Sequence, residues 1–252
     1  DDIHTINLAI AAALEGDEII VASGVYPENV WFRGKNVVLR STDPTDPRIV
    51  NSTVIDGRLF GPVVLFDGSE GSTCVLSGFT IRNGSGVQGR QNGGHSQALI
   101  QYNVITENPL GPGVSGCDGI LQHNVITRND GYSAGGVRGC NGTIRYNSIR
   151  ENRASNGGGL AHCDGLILGN EISGNKARYD GGGVYDCDAT IDGNTIEFNQ
   201  ASESGGGLSS CQGTIRNNVI AGNSARSGGG LVLCFRTIQS NLIVNNVSDN
   251  GA

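Results

Sequence analysis

The sequence is poor in the residues that build helical, fibrous or nucleic-acid-binding proteins. It has no Met, one Trp, six Pro, 5% aromatic residues, and 17 Lys and Arg against 24 Asp and Glu. Six Pro without a Gly-X-Y period exclude a collagen triple helix. A net charge of −7, no basic tract and few aromatics argue against nucleic acid as a partner, since phosphate neutralisation and base stacking both lack residues. No apolar run approaches the roughly 18 residues of a membrane span, and no signal peptide opens the chain. Without Met, Asp1 is not a translational start, so a mature form or an excised domain is expected, with any secretion signal lost.

Glycine, in contrast, is abundant: 41 of 252 residues, about 16% against a usual ~7%. Hydrophobic residues make up 37% and recur periodically, which excludes a disordered chain. Seven Cys is an odd number, so complete intramolecular pairing is impossible.

The glycines belong to a repeat of 23 or 24 residues: GGGLAHCDGLILGNEISGN (157–175), GGGVYDCDATIDGNTIEFN (181–199), GGGLSSCQGTIRNNVIAGN (205–223) and GGGLVLCFRTIQSNLIVNN (228–246). Copies at 111–129 and 134–152 have weaker glycine runs, and a degenerate one passes through Ser96 and NVITEN (103–108). Cys117, Cys140, Cys163, Cys187, Cys211 and Cys234 each precede an Ile or Leu by four residues. Three residues further on, Asn103, Asn124, Asn147, Asn170, Asn194, Asn218 or Asn241 opens an Asn-x-φ-x-x-Asn unit, φ being apolar, that closes at Asn108, Asn129, Asn152, Asn175, Asn199, Asn223 or Asn246.

Each copy holds three short apolar points separated by Gly or Asn turns, too little for a helical repeat. Three short strands per coil, stacked in parallel at about 4.8 Å, place equivalent residues in ladders along an axis. An Asn amide can donate to one neighbouring rung while accepting from the other, and Asn tolerates left-handed backbone. The glycines permit a tight corner before the Val/Leu strand. The expected fold is therefore an all-β, right-handed parallel β-helix, a solenoid of three strands per coil with a short N-terminal capping helix. It is read as one domain over 1–252: a cap and first strand at 1–30, irregular coils at 31–98, and regular repeats at 99–252 with no evident C-terminal cap. Ile6, Ile10, Ala13 and Leu14 share one face of a helix over about 5–14 and would cover the open core. Strands are expected near 18–22, 28–40, 48–56, 62–66 and 74–82.

The opening INLAIAAALEGDEIIVASGVYPENV (6–30), GKNVVLRS (34–41), TVIDG (53–57) and VLSGFTIRNG (75–84) resemble right-handed parallel β-helix proteins of the pectin-lyase-like superfamily. The GGGL-x-x-C-x-x-T-I and N-x-I-x-x-N copies resemble repeats of extracellular bacterial β-helix proteins. The resemblance implies an extracellular or cell-surface location. It leaves activity open, because the superfamily includes lyases, glycoside hydrolases, epimerases, esterases, adhesins and non-catalytic modules. Pectate lyases of this type use clustered Ca2+-binding acids with a catalytic Arg, and polygalacturonases use Asp pairs with Gly-His-Gly and Arg-x-Lys. Neither set can be placed here residue by residue, and the long side loops of a catalytic groove are missing.

Candidate sites compete with plainer accounts. The Cys column could pair vertically, since rung spacing is within disulfide reach, or be a stack of buried free thiols. Asp164, Asp186 and Asp188, with Asp118 further along, could act as catalytic carboxylates about 5–7 Å apart or hold Ca2+; solvated turn aspartates are the plainer account. No other cofactor is expected. Thr143, Arg145, Tyr146, Thr190, Asp192, Thr214 and Arg216, with Thr237 and Gln239, mark a flat strip that could bind a polysaccharide or cell-surface glycan, or be ordinary sheet surface. His95 and His162 lack convincing partners. Leu242 and Ile243 end the last copy, which points to truncation or to end-to-end self-association. The leading expectation is a non-catalytic extracellular module, a rigid structural or surface element that could bind polysaccharide or self-associate end to end; the alternative is a polysaccharide lyase or hydrolase.

Overall fold

A computed structural model describes residues 4–89 and 95–249. Over them the chain winds into a right-handed parallel β-solenoid of about ten turns. One ten-stranded sheet runs from Glu18–Val21 to Ile238–Gln239, a second from Gly24–Tyr26 to Leu242–Val244, and a nine-stranded third from Val30–Trp31 to Leu231–Val232. A fourth sheet of six strands, from Asp130–Gly131 to Val247–Ser248, was not expected. The later coils thus carry four short strands where the repeat suggested three. The added strands are two residues long and carry a single small inward residue, Ala177, Ala201 or Ala225, which form their own minor core.

Every strand pair is parallel, and the inward-facing positions pair like with like. Ile144, Ile167, Ile191 and Ile215 align in the first sheet, and Ile126, Ile149, Ile172, Ile196 and Ile220 in the second. Val137, Leu160, Val184 and Leu208 align in the third. These columns are buried, so the core is a continuous stack inside the coil, with its largest fully buried side chains at Phe32, Phe66 and Phe79.

The two Asn columns are fully satisfied. In each, the Asn Nδ2 donates to the next rung's Asn Oδ1 at 2.9–3.1 Å. It also donates to a carbonyl of the preceding coil, as Asn175 does to Ile149 at 2.8 Å. The left-handed residue is not the Asn but the one before it: Tyr102, His123, Tyr146, Glu107, Arg128 and Glu151 all have φ of 54–56°. The turn is made one residue early so that the Asn side chain can point inward and span the rungs.

The cap is shorter than expected. Helix α1 spans Ile6–Ala12, with the Thr5 side chain accepting from the Leu8 amide. Ile6 and Ile10 enter the core and Ala13 packs against it, but Leu14 lies beyond the helix end and is 74% exposed. Glu28 accepts from the amides of Ile6 and Asn7 at the helix N-terminus. Lys35 Nζ donates to the carbonyls of Ile10, Ala11 and Ala13 at its C-terminus. Carboxylate and ammonium thus sit at the ends where the helix dipole favours them.

The expected strand over 48–56 is instead helix α2, Pro47–Ser52, followed by strand Thr53–Asp56. Asp46 is its N-cap and Pro47 its first residue, the pairing that starts helices. The strand expected at 28–40 divides into Val30–Trp31 and Val38–Ser41, around a turn with positive φ at Arg33 and Gly34. Leu242 and Ile243, on the last coil, are 55% and 47% exposed. Among the described residues no helix is long and apolar enough to cross a membrane.

Candidate functional site

The Cys column is a stack of free thiols, buried except at half-exposed Cys234. Each Sγ faces the carbonyl two residues back, from Cys117 to Ser115 at 3.4 Å through Cys234 to Val232 at 3.3 Å. A hydrogen bond with the Cys117 thiol, then burial, pushes Cys140 well above the ordinary thiol range. Burial first, then the Cys163 thiol, does the same for Cys187. Cys211 is raised by its bond to Cys234, then by burial, and Cys234 is lowered by receiving that bond.

The acids beside this column are structural at two of three positions. Asp118, Asn141, Asp164, Asp188 and Gln212 form a further ladder, in which Asp164 Oδ1 accepts the Asp188 amide at 2.9 Å and Asp188 Oδ1 accepts the Gln212 amide at 3.0 Å. Asp186 stands in the adjacent left-handed column, φ 48°, with its carboxylate 3.0 Å from His162 Nδ1. His95 Nδ1 lies 2.9 Å from Asp118 Oδ2, too poorly aligned to count as a hydrogen bond. Among the described residues no three His, Cys, Asp or Glu side chains gather as a metal site. The Ca2+ reading therefore retains two carboxylates on adjacent rungs, Asp164 and Asp188.

The strip on the first sheet exists, but its polar groups largely bind one another. Arg145 Nε donates to Gln122 Oε1 at 2.8 Å, and Gln122 Nε2 to Gln101 Oε1 at 2.8 Å. Arg216 pairs with Asp192 at 2.9 Å. The Asn217 amide and then the Arg216 guanidinium hold the Asp192 carboxyl below its ordinary value against partial burial. The hydroxyl row of Thr143, Thr190 and Thr214 is interrupted in register by Leu166 and preceded by Ile120. Tyr146 is at the corner, not on the strip. It stacks on His123 at 5.6 Å, and His123 on Tyr102 at 5.1 Å. Its ring also covers Gly169, where a Cβ would meet a ring carbon at 2.8 Å.

A wider hollow lies at the corner between the second and fourth sheets. This groove of about 670 Å3 follows the axis. Glu107, Arg128 and Glu151, on consecutive left-handed corner positions, form one wall. Arg128 lies 3.2 Å from Glu107 and 3.9 Å from Glu151. Asp130, Arg153 and Lys176, in strand register, form the other. Arg153 and Lys176 have no carboxylate within 4 Å among the described residues, although they are stacked like charges. An adjoining hollow of about 440 Å3 carries Leu110, Arg178 and Tyr132, whose ring is 87% exposed. None of these residues was singled out from sequence. The available signal was charge just before the second Asn at Glu107, Arg128 and Glu151, and just after it at Asp130, Arg153 and Lys176, in three of the seven copies each.

No family model, curated protein or solved structure matches the chain.

Proposed function

We propose that the chain is a rigid, non-catalytic β-solenoid module of the extracellular, pectin-lyase-like kind, and that it binds an extended polysaccharide along its side. The carrying observation is the axial groove between the second and fourth sheets, where charged donors and acceptors recur at rung spacing beside the exposed Tyr132 ring. Polar groups that fix orientation next to an uncovered aromatic surface are what a sugar chain requires. The groove is favoured over the first-sheet strip because Arg145, Asp192 and Arg216 already bind their neighbours, whereas Arg153 and Lys176 remain available. Asp164 and Asp188 are engaged by backbone amides, which favours binding over turnover.

The test is affinity electrophoresis against a panel of neutral and acidic polysaccharides, with and without Ca2+, with product analysis on the same samples. Retardation by one polysaccharide, weakened at least about fivefold by Tyr132→Ala or Arg153→Ala, is the expected result. New reducing ends or unsaturated products would replace this reading with the lyase or hydrolase. Retardation untouched by either substitution would move the site elsewhere.

A further inference from the structure

A second groove lies on the other flank of the second sheet, and nothing in the glycan reading accounts for it. It measures about 360 Å3, at the small end of ligand pockets. Its floor is apolar, made by Val104 and Val125, which are register partners on adjacent strands. The segment around helix α2 contributes Pro44 and Pro47, and the stacked corner contributes Tyr102 and His123. These are flat surfaces around a slot suited to one ring.

The charged side chains are of one sign. Arg128 and Arg150 line the groove and no carboxylate does. Arg150 is 3.6 Å from its nearest acid, Glu151, longer than a charge-assisted hydrogen bond, so its guanidinium keeps donors to offer. Thr127 lines the groove as well. It is 2% exposed, and its Oγ1 has no hydrogen-bond partner. A buried hydroxyl left unpaired is destabilising and calls for a cause.

We propose that this groove binds a small carboxylate with a flat apolar body, an aryl carboxylate being the simplest. The ring lies over Val104 and Val125 between the prolines and the Tyr102–His123 corner. The carboxylate meets Arg150 and Arg128 and accepts from the Thr127 hydroxyl. The proposal shares only Arg128 with the polysaccharide groove and stands if that reading fails.

Benzoate is the probe, with benzyl alcohol as the neutral analogue and acetate as the anion without a body. Titration followed by amide NMR should give saturable benzoate shifts at Val104 and Val125, with a Kd of about 1 mM. Benzyl alcohol should bind about tenfold more weakly, and acetate should produce no saturable shift at these residues. Arg150→Gln should weaken benzoate about fivefold and leave benzyl alcohol unchanged. Thr127→Val should weaken benzoate about threefold while raising the Tm of the ligand-free protein, because an unpaired buried hydroxyl is replaced by a methyl. Absence of saturable benzoate shifts overturns the proposal. So does equal binding of benzyl alcohol, and so does a Thr127→Val Tm that stays level or falls.

Discussion

At the scale of single residues, the buried Asn side chains are the most exacting feature. Asn175 is fully buried; its Oδ1 accepts the Asn152 backbone amide and Nδ2 at 3.0 Å each, and its Nδ2 donates to Ile149 and Asn199. Asn175→Ala would leave these groups unpaired, and a loss of about 3 kcal/mol is expected in urea unfolding. Asn175→Asp would turn a carboxylate oxygen toward two acceptors, which favours the protonated acid and raises its folded pKa above the unfolded value. Its stability should then be present below the unfolded carboxyl pKa and be lost as pH rises through the folded value, the reverse of ordinary acid unfolding. Urea midpoints at pH 4 and pH 7 check the sign. The thiols give a second test: at pH 8 an aromatic disulfide reagent should label at most Cys234 in the native protein, and all seven Cys in denaturant. The ladders themselves could be read from sequence, because offset and residue type recur together. The role of Asp164 and Asp188 could not, since a turn acid bound to the next rung's amide looks in sequence like one facing solvent.

At the scale of elements, two contacts deserve their own tests. Lys35 closes three carbonyls at the end of α1. Lys35→Met keeps much of the stem and removes those donors, and should lower stability by about 1–3 kcal/mol, read as a drop in Tm. The glycine triplets do more than turn a corner. Gly181 has φ +65°, but a Cβ on Gly182 would stand 2.5 Å from the Gly206 carbonyl oxygen and 2.7 Å from the Gln200 amide. Both are backbone atoms that cannot swing away. Gly182→Ala should therefore cost more than 2 kcal/mol by urea unfolding. The helix at Pro47 is hard to see in the sequence because VNSTVID (50–56) has strand composition, which masks the helix start at Asp46-Pro47. The fourth sheet escaped because a two-residue strand with one inward Ala carries no periodic signal.

For the whole molecule, each coil contacts its two neighbours, so stability should be close to a sum over coils. Deleting 182–205, which joins Gly181 to Gly206 and removes one full period, should leave a folded protein with unchanged circular dichroism per residue. Removing twenty residues from the same place should not, because every ladder would lose register. The architecture was legible because one short pattern is written seven times. The groove was not, because it is assembled from residues that differ between copies: Glu107, Arg128 and Glu151 share an offset but alternate in sign, and the later copies carry Gly174, Phe198 and Gly222 there. One further property follows from the Asn columns. In both ladders each Oδ1 faces the preceding coil and one Nδ2–H faces the Oδ1 of the following coil, while Nδ2 also donates back to a carbonyl of the preceding coil. Parallel strands contribute little net dipole, but these amides add head to tail as peptide units do in an α-helix. The rod is thus electrically polarised along its length, partially negative toward the end covered by α1 and partially positive at the last coil, so an ion travelling beside it meets two unlike poles.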